Sequence, residues 1–480
     1  MTFRPRWIAA GAVAFIAMSL LSPPAGLSSQ AWTTASLALL MLVWWVTEAV
    51  PIPVTSLLPL VILPAFGVLD FGAAAPVYAS PIVLLLMGGF IIARSVEVWN
   101  LHARIALAIV ARAGNSPAAM VAGFMVAAAL LSMWISNTAT AIMLTPIAIS
   151  VATRLGGPGA LGTPIGIALL LGVAWGCSIG GVGTPIGTPT NLIVLAYLDN
   201  EFGRQVGFGE WMAFGVPVVL AILPLAWLTL TRLAQRVRPV GEAPPQAVIA
   251  AERAALGPVS APERRVAMAF AVIAAAWLLR RPLTEFEIFG IMPFAGVTDP
   301  LIAIAGAILM FLIPAGTGGK ARALLDWHEA ERIPWGVLLL FGGGLSLAVA
   351  ITSSGLGAWM GGHLAGLNAL PLLFLVGAIV IFVIFVTEVT SNVATASALM
   401  PVIGAVALAG GGDPLLLAMP VAAAASCAFM LPMATGPNAI AYASGAIAMT
   451  RMARLGFVLN LLAILAISGL AAWLVPMIVQ

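Results

Sequence analysis

The sequence predicts an all-α membrane protein built from two inverted repeats, and three observations support this fold class. Hydrophobic residues make up 62% of the 480 residues and charged residues only 8%, whereas soluble domains carry roughly 25% charged residues. Apolar segments of about 20 residues, the length that crosses a bilayer as a helix, recur along the chain. Polar motifs of the first half return in the same order in the second half. Lipid is therefore the expected solvent for most of the surface.

The apolar segments predict about eleven transmembrane helices. Two further apolar segments, 117–153 and 370–409, are each interrupted at the middle by a polar cluster. We interpret both as re-entrant hairpins, and two thin spans each are the alternative. The predicted spans are 7–22, 31–50, 52–69, 81–110, 160–198, 211–231, 266–280, 300–315, 334–362, 414–447 and 455–478.

The distribution of basic residues predicts the orientation. Arg4 and Arg6 precede the first apolar run, which resembles a signal peptide, but further apolar segments follow at once and a retained span is the preferred interpretation. With a cytoplasmic N-terminus, most of the 20 basic residues fall inside, as the positive-inside rule requires. The sequence thus predicts a multi-pass protein of a bacterial inner membrane with its C-terminus outside. The polar segment 232–265 is the predicted cytoplasmic linker.

The internal repeat links residues 1–231 to residues 266–480. Three motifs return 254, 255 and 247 positions later, so both their order and their approximate spacing are kept. Inverted repeats with polar breaks at equivalent places are typical of secondary transporters, whose site lies where the repeats meet. The paired motifs are 84–89 with 338–343, 136–140 with 391–395, and 188–191 with 435–438.

Glycine and proline predict a broken helix in each half, within 160–198 and 414–447. Segment 183–191 reads Gly-Thr-Pro-Ile-Gly-Thr-Pro-Thr-Asn, and segment 432–438 reads Pro-Met-Ala-Thr-Gly-Pro-Asn. A broken helix exposes carbonyl groups, which suit Na⁺, and N–H groups, which suit a carboxylate. Neither segment nor either hairpin tip contains lysine or arginine. An anion held there needs dipoles and bound cations, so we expect transport coupled to a cation.

Other classes of protein fit poorly. Near the tips there is no Ser–His pair, His-Glu-x-x-His run or pair of aspartates, which argues against an enzyme. The net charge of +3 and the lack of basic runs argue against a nucleic-acid partner. Two cysteines and three scattered histidines do not form a zinc, haem or iron–sulfur site. Occluding hairpins disfavour a channel.

Two acidic residues lie close to apolar runs. Glu388, three residues before the second tip, could bind a proton or a cation, because an intramembrane carboxylate is a functional candidate. It could instead bond to loop N–H groups and hold the tip, and this structural interpretation is preferred. Glu48 precedes Pro51 and Pro53 and is placed at a cytoplasmic interface.

With these motifs, the chain resembles the divalent anion:sodium symporter family, the INDY-like dicarboxylate and citrate transporters. The resemblance covers nearly the whole chain and rests on segments 47–55 and 426–438 and on the two Ser-Asn tips. It implies a homodimer in which a transport domain slides against a scaffold like an elevator. It also implies that substrate is held by Ser136, Asn137, Thr138, Ser391, Asn392, Val393, Thr435, Gly436 and Pro437.

The resemblance further implies two sodium sites. The first would use Ser132, Ser136, Asn137 and Gly187, and the second would use Thr387, Thr390, Asn392 and Ala434.

Two departures from the family pattern concern the substrate. Val393 takes the place of a hydroxyl residue, and Gly436 takes the place of a common proline. The resemblance implies sodium-coupled symport of succinate, malate, fumarate or citrate, and Val393 would suit the bulkier citrate. A sodium-independent dicarboxylate exchanger and a sulfate transporter are the alternatives.

Overall fold

The fold of the first half is a series of helices interrupted at short polar or proline-containing turns. A computed structural model describes residues 4–114, 116–156, 160–233, 235, 237, 246–287, 291–316, 322–364, 366, 370–409 and 413–479. The helices of the first half are α1 (Pro5–Leu20), α2 (Ser29–Thr47), α3 (Ile52–Thr55), α4 (Leu58–Ala65), α5 (Phe71–Ala74), α6 (Pro81–Val98), α7 (Leu101–Val110), α8 (Pro117–Ser132), α9 (Asn137–Gly156), α10 (Pro164–Gly181), α11 (Pro189–Phe202) and α12 (Phe208–Leu228).

The second half follows a short amphipathic helix in the linker, α13 (Gln246–Ala255). Its helices are α14 (Ala261–Leu278), α15 (Arg280–Thr284), α16 (Asp299–Leu312), α17 (Trp327–Ala330), α18 (Trp335–Ser353), α19 (Leu356–Leu364), α20 (Leu372–Thr387), α21 (Asn392–Ala409), α22 (Leu415–Ser426), α23 (Gly436–Ala443) and α24 (Met449–Val479).

Seven consecutive helices of the first half have counterparts of similar position in the second. Helices α6 to α12 match α18 to α24 in order, and the starts of α8 and α9 precede those of α20 and α21 by 255 residues. In each half a two-helix hairpin is followed by two helices with a non-helical break between them. The breaks span 182–188 and 427–435.

The predicted spans 81–110 and 334–362 are each two helices rather than one. The first is interrupted at Asn100, whose φ of 54° is left-handed, and the second at Gly355, whose φ is 83°. A helix cannot continue through a left-handed residue. The prediction missed both interruptions because it was based on the mean hydropathy of each segment, which stays high across them.

Six helices in the described part of the chain are long and apolar enough to cross a membrane. Eight shorter apolar helices accompany them, among them the first arm of the first hairpin and both arms of the second. The all-helical membrane architecture is what the composition predicts, whereas the number of crossings stays a prediction.

The broken helices lie at the centre of the molecule. Almost every residue of α10 and α22 is buried. Helix α10 packs on α8, α9 and α23, and α22 packs on α11, α20 and α21. Each broken helix therefore touches hairpin helices of its own half and the broken helix of the other half. Small residues permit this approach, since a Cβ on Gly176 would lie 2.8 Å from the carbonyl oxygen of Met125.

Candidate functional site: a cavity at the hairpin tips and helix breaks

A cavity of about 340 Å³ lies where both hairpin tips and both helix breaks meet. The tips contribute Ser136, Asn137 and Thr138 from one half and Ser391, Asn392 and Val393 from the other. The breaks and the first residues of α11 and α23 contribute residues 186–189 and 434–437, and α6, Trp134 and residues 334 and 337 beside the start of α18 complete the wall. All nine residues predicted to hold substrate line this cavity. Their role as ligands stays a prediction.

Four helices begin at the cavity wall. Helices α9 and α21 start at Asn137 and Asn392, and α11 and α23 start at Pro189 and Gly436. Each of these four residues lines the cavity. Unpaired N–H groups give a helix N-terminus a partial positive charge, so each of these starts adds such a charge to a wall that contains neither lysine nor arginine.

The two tips are built in the same way. The hydroxyl group of Ser132 donates to Oδ1 of Asn137, and that of Thr387 donates to Oδ1 of Asn392 over 2.8 Å. Both hydroxyl residues are fully buried. Each bond spans five residues, so it closes the turn between the two arms and fixes the asparagine side chain at the tip.

The two breaks are also bridged in the same way, by the side chain of an asparagine that follows each of them. Nδ2 of Asn191 donates to the carbonyl groups of Gly181 and Thr184 over 2.9 and 2.8 Å. Nδ2 of Asn438 donates to those of Ala428 and Leu431 over 2.9 and 3.1 Å. The acceptors lie ten and seven residues before the asparagine in both cases. Each amide thus joins two carbonyl groups of the interrupted helix, of which those of Thr184 and Leu431 also accept from the backbone N–H groups of Gly187 and Ala434.

Glu388 connects the second tip to the second break. Its carboxylate accepts hydrogen bonds from the backbone N–H groups of Phe429, Met430 and Leu431 at 2.7, 2.9 and 3.1 Å. Nδ2 of Asn460 donates to it as well, over 2.8 Å. The side chain is 3% exposed and does not line the cavity. These contacts favour the structural interpretation of Glu388.

The residues predicted for the first sodium site lie close together. Ser132 contacts Asn137, and a Cβ on Gly181 would lie 2.8 Å from Oδ1 of Asn137 and 3.2 Å from the carbonyl oxygen of Gly187. Hydroxyl, amide and carbonyl oxygens thus face one another. Such neutral oxygen ligands suit a hard cation.

The second predicted set is only partly assembled. Thr387 contacts Asn392, and Ala434 lines the cavity beside it. The hydroxyl group of Thr390 bonds instead to the carbonyl oxygen of Val386 over 2.9 Å and to Thr395. A hydroxyl oxygen that donates one hydrogen bond and accepts another keeps one lone pair, so Thr390 can offer an oxygen to a cation while these bonds hold its side chain.

Several lining residues were not predicted. Thr188 could have been found, since it is the repeat counterpart of Thr435. Trp134 precedes the tip and packs on Phe208 and Phe270, with ring centroids 5.9 and 5.1 Å away. No repeat counterpart or motif singles out these aromatic contacts. The remaining unpredicted lining residues are Gly89, Phe90, Ala93, Ile186, Pro189, Pro334 and Val337.

Two solved structures share the fold. The YdaH transporter of Alcanivorax borkumensis superposes with a TM-score of 0.58 at 16% identity, covering 91% of this chain and 98% of its own. MtrF of Neisseria gonorrhoeae, described as illuminating a class of antimetabolite efflux pumps, gives 0.61 at 13% identity and 98% coverage of both chains. At such identities the likeness concerns the fold alone.

Sequence comparison is more specific. A family model described as the sodium:sulfate symporter transmembrane region matches residues 6–480. The sodium-dependent dicarboxylate transporter SdcS of Staphylococcus saprophyticus is 38% identical over 477 residues, which cover 97% of this chain and 90% of the relative. SdcS of Staphylococcus aureus strain MRSA252 is 38% identical over 479 residues, with 98% and 90% coverage. The predicted family and the absence of enzymatic activity are thereby confirmed. The chain belongs to the sodium:sulfate symporter family, the divalent anion:sodium symporters, whose members are membrane transporters and not enzymes.

Proposed function

We propose that the protein is a secondary active transporter that moves C4-dicarboxylates (succinate, malate or fumarate) or citrate across the membrane in symport with sodium. The observation that carries this proposal is the convergence of four helix N-termini on one cavity that lysine and arginine do not line. The names of its relatives, sodium-dependent dicarboxylate transporters, support the same class of substrate and coupling ion.

The charges of the cavity suit a dianion. Each helix N-terminus is equivalent to roughly half a positive charge, so four of them offer about two. That matches a dicarboxylate, whereas fully ionised citrate would leave about one negative charge unbalanced. Helix dipoles are partial charges and are screened by water, so whole charges are still required to offset the loss of hydration. Sodium ions beside the tips supply them.

The two sodium ions are assigned to the oxygen clusters behind the tips. Ser132, Ser136, Asn137 and Gly187 form the first set, and Thr387, Thr390, Asn392 and Ala434 form the second. Asn137 belongs to the first set and Asn392 to the second, and both residues also line the cavity. A bound cation would therefore orient the amide that faces the substrate, which makes cation binding and substrate binding mutually dependent.

Three lining residues bear on the choice of substrate. Thr138 offers a hydroxyl group at a position where the second tip offers the methyl groups of Val393. A Cβ on Gly436 would collide with the hydroxyl group of Thr138. Glycine therefore lets Thr138 lie against the start of α23 and leaves width in the cavity. An apolar wall at Val393 together with this width accommodates the carbon skeleton of citrate as well as that of succinate.

The mechanism proposed is alternating access of the elevator type in a homodimer. The transport domain would carry the two hairpins and the two broken helices, and the remaining helices would form the scaffold. Residues 1–231 and 266–480 would be inverted repeats, with the N-terminus cytoplasmic and the C-terminus outside. The positions of α6 to α12 and α18 to α24 support this assignment.

Uptake of radiolabelled succinate into proteoliposomes tests the proposal. We expect uptake that saturates, requires an inward sodium gradient, and is inhibited by malate, fumarate or citrate. Uptake of equal size with choline in place of sodium would contradict symport and favour the exchanger.

Sulfate is the second candidate, because the family model is described by sodium:sulfate symport. In the same assay, inhibition by sulfate but by none of the carboxylates would identify sulfate, and not a carboxylate, as the substrate.

A further inference from the structure

A chain of buried hydroxyl groups connects the cavity wall to the end of α22. Oγ1 of Thr190 donates to Oγ1 of Thr188 over 3.4 Å, and it lies 2.7 Å from Oγ of Ser426, where either atom can be the donor. The three residues are 3%, 0% and 0% exposed. Thr188 lines the cavity, and Thr190 and Ser426 belong to opposite halves of the protein.

The far end of the chain lies beside the second predicted sodium set. Ser426 is the last residue of α22, and the carbonyl group of the preceding residue, Ala425, accepts a hydrogen bond from Thr387 over 2.9 Å. The same hydroxyl group lies 2.8 Å from Oδ1 of Asn392, so its single proton is shared between these two acceptors. The hydroxyl chain therefore runs from the cavity to the backbone that holds a predicted sodium ligand.

The hydroxyl protons of this chain can be arranged in two ways. In the first arrangement Ser426 donates to Thr190 and Thr190 donates to Thr188, which leaves the proton of Thr188 free for a ligand in the cavity. In the second arrangement Ser426 donates to the carbonyl oxygen of Ala422, 3.2 Å away, and Thr190 donates to Ser426. The dipole of the chain is reversed between the two.

An anion and a cation favour the same arrangement. A carboxylate in the cavity accepts the proton of Thr188 and stabilises the first arrangement, in which cooperative bonding strengthens that donor. In this arrangement the oxygen of Ser426 receives no proton, so the negative end of the chain lies at Ser426, next to Ala425, whose carbonyl group bonds to Thr387 of the second sodium set. We propose that Thr190 and Ser426 are positioning residues that couple sodium binding to substrate binding; this inference rests on the proposed function.

The test measures how much sodium tightens substrate binding. The dissociation constant of succinate is determined by calorimetry on purified protein in saturating sodium and in choline, and their ratio is the coupling factor. Thr190→Val keeps the side-chain shape and removes the hydroxyl group, Thr190→Ser keeps the hydroxyl group, and Ser426→Ala removes its partner. Thr229→Val is the matched control, because Thr229 is equally buried and bonds only within its own helix.

We expect Thr190→Val and Ser426→Ala each to lower the coupling factor by roughly three- to tenfold, the equivalent of one hydrogen bond. Thr190→Ser and Thr229→Val should retain it. The double variant should resemble Thr190→Val, since both changes interrupt one chain. Succinate must tighten sodium binding by the same factor, and that factor must fall equally in the variants.

An unchanged coupling factor in Thr190→Val and Ser426→Ala, with lower thermal stability only, would overturn the inference and leave a packing contact. Additive losses in the double variant would also overturn it. An unmodified protein whose succinate affinity is the same in sodium and in choline would refute the proposed function itself. That outcome is distinguishable because it appears without any substitution.

Discussion

Replacement of Glu388 tests whether its carboxylate holds the second helix break or ligates an ion. Glu388→Ala would leave three backbone N–H groups, a buried one at Phe429 and half-buried ones at Met430 and Leu431, without their acceptor. An unsatisfied buried donor costs about 1–3 kcal/mol, so three set an upper range of about 3–9 kcal/mol. Because the loop can relax toward water or other acceptors, we expect a loss near the lower end, about 3 kcal/mol.

Glu388→Gln should be intermediate. Its single amide oxygen can still accept from Phe429 and Met430, which lie 2.7 and 2.9 Å from Oε1 of Glu388. Its amide nitrogen, however, would face the N–H group of Leu431, since Leu431 donates to Oε2. The amide N–H group of the glutamine and the backbone N–H group of Leu431 would then face each other with no acceptor between them.

Thermal unfolding of the purified protein, followed by tryptophan fluorescence, gives the order of stability. The melting temperature should be highest for the unmodified protein, lower for Glu388→Gln and lowest for Glu388→Ala, with a difference of several degrees between the first and the last. Asn460→Ala, which removes only one of the donors to the carboxylate, serves as the mild control. If both Glu388 variants were as stable as the unmodified protein but lost sodium-dependent uptake, the structural role would be refuted and Glu388 would be assigned to ion binding.

Three further predictions concern the cavity and the breaks. Asn137→Ala or Asn392→Ala should abolish uptake while the protein remains folded and inserted, because each amide lies at a tip and in the cavity wall. Uptake at the unmodified rate in both variants would refute the site. Gly436→Ala should raise the KM for succinate by about tenfold, since its Cβ collides with Thr138 and displacing that side chain costs about one hydrogen bond; an unchanged KM in transport kinetics would argue against this contact. Asn438→Ala should lower thermal stability by about 2 kcal/mol through the loss of two bonds to carbonyl groups, and a melting temperature equal to that of the unmodified protein would contradict it.

The elements that repeat could be predicted from the sequence. Each tip asparagine, and each asparagine that follows a break, occurs in a motif present in both halves. Polar residues and prolines inside apolar runs can only be accommodated where their backbone groups are satisfied internally. This physical requirement located the residues that the structure brings to one cavity. It did not locate Trp134 or Phe90, whose positions depend on packing between distant helices.

The interruptions at Asn100 and Gly355 could not be predicted for a related reason. Asn100 and Gly355 are residue types that adopt the left-handed conformation readily, but a single such residue within a long apolar segment does not by itself show that a helix ends there. The orientation of Thr390 could not be predicted from the motif either. Sequence spacing placed this residue near the tip, but it did not show that its hydroxyl group bonds to both Val386 and Thr395.

In both halves, polar groups at the helix break need hydrogen-bond partners from the hairpin tip, and the two tips provide them with different chemical groups. In the second half, Glu388 binds N–H groups of the break. Its repeat counterpart is Met133, which offers only its carbonyl group, and there the hydroxyl group of Thr184 in the first break donates to it. A repeat thus preserves the position of the contact but not its charge. Because a carboxylate follows Thr387 directly while no acid adjoins Ser132, we expect the two sodium sites to differ in electrostatic environment, with the second favouring a cation more strongly.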